Sequence, residues 1–283
     1  MEIIDYKDLT PELAKEGCFV RNMPNDAYHA YEGISKSGLD LVNRSPAHFH
    51  FKAARKTSRT LELGTALHTA ILEPERYKAE YMKLAGVKAR TASEYKQAIK
   101  VHGSERVLIA HEFGNIDSIQ ETVRSKPEIS DLLAGCDMFE LSALVEYEGV
   151  ILRIKLDALN SKDLIAVDLK TTQNSSREEF AKSVYNYRYH VQDAFYSFVF
   201  ELIAGKPLNA FKFLAVENEP PHCPMIYTLD NESKMIGKNE ALRNIEEFKE
   251  SDIDQGYEQT NEPLSLPNWA LAKYDNEVEE GIV

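Results

Sequence analysis

A chain of 283 residues with 43% hydrophobic and 28% charged residues can bury a core without staples, and its composition excludes the disordered and fibrous classes. Met1 to Lys7 carry neither a basic flank nor an apolar run, and no later stretch reaches membrane-spanning length, so a cytoplasmic protein without a membrane partner is expected. The net charge of −13 argues against contact with DNA until it is located: residues 217–283 hold 16 acidic and 5 basic side chains, leaving 30 acidic against 28 basic in residues 1–216.

Near the amino terminus, Ser35 to Val42 reads as a short helix with a serine cap, ended by Asn43-Arg44-Ser45-Pro46. Pro46 suits the first turn of a second helix through Phe49 and Ala53. A basic run follows the same stretch: Arg44, Lys52, Arg55, Lys56 and Arg59, with His48 and His50 interleaved with Phe49 and Phe51. By charge pattern this run is a solvated helix face or a DNA contact. Leu61 to Leu72 forms a third helix, with Leu63, Leu67, Ala70 and Ile71 on one face and Glu73-Pro74 at its end. Residues 90–133 keep helical spacing, through Tyr95, Ala98 and Ile99 and then Ile116, Ile119 and Val123.

After Cys136 the pattern changes to β. Phe139–Tyr147, Val150–Leu159 and Leu164–Thr171 are rich in β-branched and aromatic residues and are separated by Glu148-Gly149 and by Asn160 to Asp163, which predicts an antiparallel meander. A helix is predicted from Arg188 to Ile203, a strand from Ala210 to Val216, and an amphipathic helix from Asn239 to Phe248. Cys18, Cys136 and Cys223 are odd in number and form no CxxC pair, so they are expected to be reduced, buried thiols.

The chemistry concentrates in the meander. Side chains alternate along a strand, so Asp168 and Lys170 project from one side, beside the apolar run Leu164 to Val167. Charged groups there are costly without a purpose. A hairpin would bring Asp157 near Asp168, although spacing does not fix the register. Two adjacent carboxylates repel unless a cation lies between them, and hard oxygen ligands favour Mg²⁺ or Mn²⁺. Lysine beside such a site suits phosphoryl transfer, where it can hold the attacking water. The competing reading is an ion pair at the surface, with Asp157 as a turn residue. Glu140 and Glu146 could supply a further carboxylate but are expected to be structural.

Asp157 followed by Asp168-Leu169-Lys170 resembles the motif of the PD-(D/E)XK nuclease superfamily. Gln192-Asp193-Ala194-Phe195-Tyr196 resembles the QxxxY element of its RecB-like branch, and Gly64 to His68 the GxxxH helix of the same branch. Ile34 to Leu39, Ser45 to Phe49 and Asp168 to Thr172 are similar to RecE-type (exodeoxyribonuclease VIII) nuclease domains, and the resemblance runs from about Ile34 to Trp269.

That resemblance implies an α/β fold with a mixed central sheet flanked by helices. It implies a single nuclease domain: a helical amino-terminal region (1–60), a catalytic core (61–216) and an acidic carboxy-terminal segment (217–283). His68, Asp157 and Asp168 would bind Mg²⁺ with the Leu169 carbonyl, Mn²⁺ being a possible substitute. Lys170 would serve the water, and Gln192 and Tyr196 would steady the site or contact DNA. It further implies a processive 5′→3′ exonuclease on linear double-stranded DNA, a RecT-like single-strand annealing partner and a ring-shaped homo-oligomer; the charge distribution adds that the acidic segment should face away from DNA. The alternatives are a RecB-branch nuclease of other polarity or substrate, an endonuclease or Cas4-like enzyme among them, and a non-catalytic DNA-binding protein of the same fold. Cas4-like proteins need four cysteines for an iron–sulfur cluster, and this chain has three.

Overall fold

A computed structural model of the chain describes residues 3–52, 57–250, 252, 256–257 and 262–272. The strands are β1 (Ile3–Asp5), β2 (Cys18–Arg21), β3 (Met82–Leu84), β4 (Val107–Ile109), β5 (Met138–Tyr147), β6 (Val150–Asn160), β7 (Ile165–Thr172), β8 (Ala210–Glu217) and β9 (Pro224–Tyr227). The helices are α1 (Pro11–Glu16), α2 (Asn25–Ala30), α3 (Lys36–Arg44), α4 (Pro46–His50), α5 (Arg59–Leu72), α6 (Pro74–Glu80), α7 (Ser93–His102), α8 (Ala110–Arg124), α9 (Pro127–Ala134), α10 (Arg177–Asn186), α11 (Tyr189–Ala204) and α12 (Asn231–Glu250).

The main sheet has the order β1-β2-β5-β6-β7-β8-β9, with β3 and β4 forming a separate parallel pair. The predicted meander is its centre. Glu148 and Gly149 both have positive φ, 50° and 83°, as a two-residue turn matching strand twist requires, and Tyr147 pairs with Val150. At the next turn Asn160 and Asp163 bond each other through side chain and backbone, so β6 and β7 pair from Asn160↔Ile165 onward. β7 and β8 run parallel, which demands a crossover; α10 and α11 supply it. To the helices expected in residues 1–60 the structure adds β1 and β2, with β2 antiparallel to β5.

Two apolar layers sandwich this sheet. On one face Leu39 and Val42 of α3, Val191, Phe195 and Val199 of α11, and Ala241 and Ile245 of α12 cover Leu152, Ile154 and Leu156 of β6. On the other, Ala66, Leu67, Ala70 and Ile71 of α5 and Ile116, Ile119 and Val123 of α8 cover Val167 and Leu169 of β7 and Leu214 of β8. Gly237 lets α12 cross α11 closely, because a Cβ there would collide with the His190 carbonyl. Helix α12 starts at Asn231 rather than Asn239, because exposed Met235 and Ile236 and the contact glycine blur its amphipathic pattern. Residues 217–250 are therefore part of the packed domain: β9 edges the sheet, and α12 closes one face. Cys18 and Cys136 are buried and Cys223 is exposed, all three free, so the expectation of a buried thiol fails at Cys223. Among the described residues no helix is long and apolar enough to cross a membrane.

Candidate metal centre

The site lies where β6 and β7 part. Their ladder ends at Ala158↔Val167; from there β7 stays with β8 as far as Thr172↔Glu217, while β6 stays with β5. Asp157 and Asp168 are the first residues past the last pair. Where the ladder would continue, the Leu169 backbone N–H donates to Asp157 Oδ2 at 2.8 Å, so a carboxylate takes the place of a strand carbonyl. Asp157 thus stands within its strand, three residues short of the end, and is not a turn residue.

Both strands slip out of phase at this point. Leu141 and Met138 reach the same apolar layer although they are three apart, as do Leu156 and Leu159, while Phe139 and Ala158 face the other layer. Strict alternation forbids an odd spacing on one face. The slip falls at Glu140, whose φ of 50° is left-handed for a non-glycine residue, and at Asp157 opposite it. The register resumes with Leu141↔Leu156. The carboxylates of Glu140 and Asp157 are thereby brought together with His68, which α5 presents from its own layer. One ligand atom from each of the three lies within 4.8 Å of the others, and His68 Nδ1 stands 3.7 Å from Asp157 Oδ2.

Asp168 is held from the α11 side. Gln192 Nε2 donates to its Oδ1 at 2.5 Å, and Lys170 Nζ lies 2.6 Å from Oδ2. The Lys170 ammonium also sits 4.7 Å from the centre of the Tyr189 ring. Alternation gives Ala166, Asp168 and Lys170 one face and Val167 and Leu169 the other, which is why two charged residues can flank a buried leucine.

Electrostatics follow from this crowding. Burial, reinforced by the Asp168 charge, pushes the Asp157 carboxyl up to about 7. Burial and the Asp157 charge likewise raise Glu140. Burial lowers His68 and favours the neutral imidazole, the form that ligates metal. Burial works against the charge on Lys170, but the Asp168 and Asp157 carboxylates outweigh it and hold the ammonium charged. Carboxylates this reluctant to ionise together suit a divalent cation, and the donor set of one imidazole nitrogen and carboxylate oxygens fits a hard metal ion.

The structure brings some of the predicted residues together and places others elsewhere. His68, Asp157, Asp168, Lys170 and Gln192 converge on the fork. Leu169 offers its N–H to Asp157 and buries its side chain. Tyr196 lies in the α11 layer, edge-to-face on Phe211 at 6.0 Å, with its hydroxyl bonded to the Lys155 backbone, and so ties α11 to β6. Glu140, expected to be structural, joins the metal group; its neighbour Glu146 points away, 4.0 Å from exposed Lys15.

Of the basic run, Arg59 is committed to the fold. Arg59 uses its five N–H donors within the fold, on Glu112, Glu62, Ser104 O and Val107 O, and has none left for a phosphate. Arg44 donates to the Tyr257 hydroxyl at 3.2 Å, and Lys52 stands over the Phe49 ring at 4.0 Å. Arg55 and Lys56 lie outside the described residues.

Residues 35–260 match the family described as a PDDEXK-like domain of unknown function (DUF3799). The chain belongs to that family. The match begins at the Ser35 end of α3, so the DUF3799 domain takes in the whole fork and both apolar layers. Among solved structures, the DUF3799 domain is similar to a protein from Eubacterium rectale described provisionally as an exonuclease. The TM-score is 0.57 at 13% identity, over 89% of this chain and 98% of that one. At that identity the likeness concerns the fold. No curated protein matches the chain in sequence.

Proposed function

We propose that this DUF3799 domain is a divalent-metal-dependent DNA nuclease. One observation carries the reading: His68, Glu140 and Asp157 bring ligand atoms within 4.8 Å of one another at a strand fork whose other prong bears the Asp168–Lys170 ion pair. His68, Glu140, Asp157 and Asp168 would hold the metal, which when bound supplies Lewis-acid stabilisation of the charge that develops on a phosphodiester. Gln192 fixes Asp168 through Oδ1 and leaves the other oxygen toward Lys170. The Lys170 ammonium orients water for attack on phosphorus in line with the departing sugar oxygen, and offsets charge gained by the phosphate oxygens.

Finer features are part of the same proposal. Magnesium is the ion, with manganese as a substitute, in keeping with the oxygen-rich donor set. The substrate is linear double-stranded DNA, degraded 5′→3′ and processively to leave 3′ single strands for a RecT-like annealing partner. A ring of subunits in the cytoplasm would keep the DNA enclosed. Support comes from the resemblance of Ile34–Leu39, Ser45–Phe49 and Asp168–Thr172 to RecE-type domains; the provisional naming of the Eubacterium rectale protein agrees with an exonuclease and says nothing finer.

The test is incubation of the purified protein with Mg²⁺ and linear duplexes labelled at the 5′ or the 3′ end, beside a covalently closed circle. Early release of the 5′ label with the circle intact is expected. Cutting of the circle would replace the exonuclease with an endonuclease, and an inert protein under all metals would remove the nuclease reading.

A further inference from the structure

Beside Lys170 the structure holds a ladder of aromatic rings that the hydrolytic chemistry leaves unused. Phe213 of β8 is fully buried; Tyr189 stacks on it with ring centres 5.7 Å apart and planes 27° from parallel. Tyr187 stacks in turn on Tyr189, at 5.6 Å and 26°. The ladder ends in solvent, for Tyr187 is 62% exposed. The Tyr189 rung is also the ring under the Lys170 ammonium, so Tyr187 lies no more than about 10 Å from the group that serves the scissile phosphate.

The exposed rung is pinned in place. Between Tyr187 and Tyr189, Arg188 has a left-handed backbone with φ 53°. Its guanidinium fixes that conformation from two other helices, through Asp40 of α3 at 2.9 Å and Glu240 and Asn244 of α12 at 3.0 and 2.7 Å. The Tyr187 carbonyl accepts a bond from Lys36 of α3 at 2.5 Å. A large aromatic ring left mostly in water, on a left-handed turn held by four side chains of other helices, is unfavourable for the free protein unless a flat partner completes the stack.

We infer that Tyr187 is a base-stacking platform: the nucleobase next to the scissile phosphate adds the next rung above Tyr187, fixing which phosphate meets Lys170. This rests on the nuclease reading and extends it to how the substrate is placed. Stacking is indifferent to base identity, since every base offers a π face, so the platform positions any sequence. Tyr187 is a positioning residue, remote from the reacting atoms. Tyr185, 77% exposed on the same connection, lies outside the ladder and serves as the control.

The experiment uses the full chain with Ca²⁺ and short duplexes carrying 2-aminopurine at each terminal position in turn. The wild type should quench fluorescence at one position. Tyr187→Phe and Tyr185→Ala should keep that quench. Tyr187→Leu and Tyr187→Ala should lose it, with affinity falling about 5- to 100-fold and the salt dependence of binding unchanged, since no phosphate contact is removed. Thermal unfolding of each variant checks the fold. Unaltered quenching in Tyr187→Leu, or an affinity loss that also flattens the salt dependence, overturns the platform while a normally cleaving wild type leaves the nuclease reading intact. A wild type that neither binds nor cuts DNA brings down both.

Discussion

Glu140 is the residue at which stability and metal binding should oppose each other most clearly. Its left-handed backbone costs about 1–2 kcal/mol in an L-residue, and its half-buried carboxylate is crowded against Asp157. Glu140→Gly relieves the backbone strain, offset by roughly 0.5–1 kcal/mol for the freedom glycine has in the unfolded chain. The metal-free variant should therefore be more stable than the wild type by about 0.5–1 kcal/mol, which raises Tm by roughly 1–2 °C in a domain of this size. Loss of the ion pair with Lys155, 3.6 Å away, trims that gain without reversing it. Glu140→Gln keeps the strain and removes only the charge. Both variants should lose about 10- to 100-fold in metal affinity, so saturating Mg²⁺ should stabilise the wild type far more than either. Calorimetric unfolding in EDTA and in Mg²⁺, with titration calorimetry for affinity, reads both effects. A Glu140→Gly protein less stable than wild type without metal, or equally stabilised by Mg²⁺, would show that Glu140 is neither strained for a purpose nor a ligand.

Substitutions at four further residues have defined outcomes. Asp168→Asn should abolish cleavage with the fold intact, and Lys170→Arg should be nearly as inactive as Lys170→Ala, because a planar fork cannot replace a compact ammonium 2.6 Å from Asp168; near-normal single-turnover rates for the arginine variant would return Lys170 to a plain ion pair. Arg59→Met should cost about 3–5 kcal/mol in urea unfolding by leaving buried Glu112 uncompensated, a further Glu112→Leu change should restore most of it, and DNA affinity should not move. For Asp193, burial pushes the carboxyl up to about 6 against the pull of Lys234. The protonated form is thus favoured by folding, and the wild type loses stability as pH rises from the ordinary aspartate value through 6. Asp193→Asn should gain up to about 3 kcal/mol at pH 8, at roughly 1.4 kcal/mol per pH unit, with the gain gone near pH 4; a pH-independent difference in Tm would contradict this.

The legible part of the site was the part whose cost shows locally. Asp168 and Lys170 interrupt an apolar strand run, and Gln192 and Tyr196 lie one helical turn apart, so each carries its signal within a few neighbours. Glu140 carries none: its significance is a backbone angle and a phase slip shared with a strand partner, and alternation in Phe139–Tyr147 reads as ordinary β-sequence. Arg59 failed for the opposite reason. Its charge is plain, but its partner Glu112 is 53 residues away, and charge pattern cannot say that a guanidinium is already satisfied. β1 and β2 are three and four residues long, too short for a period-2 pattern, and gain their strand character from pairing with each other and with β5.

The formal charge of −13 misleads because it weighs every charge equally. Some acidic groups on and around α12 are paired where they stand: Glu240 with Arg188 at 3.0 Å, and Glu246 and Glu148 sharing Lys249 at 2.9 and 3.0 Å. The lysines around the fork are paired as well, Lys36 with Asp40 at 2.7 Å, Lys155 with Glu140 at 3.6 Å and Lys170 with Asp168 at 2.6 Å. Lys36 and Lys155 are held below the usual lysine range, chiefly by burial, and Lys36 also feels the charge of Lys170. Arg153, 4% exposed, donates to the Tyr28 carbonyl and has no acidic side chain in ion-pair contact among the described residues. Charges set in low-dielectric walls act over longer range than exposed ones screened by salt within about 8–10 Å. On the proposed nuclease reading, metal bound at Glu140, Asp157 and Asp168 would offset those carboxylates and leave the Lys155 and Lys170 charges to act on an approaching DNA backbone, whatever the sign of the whole chain.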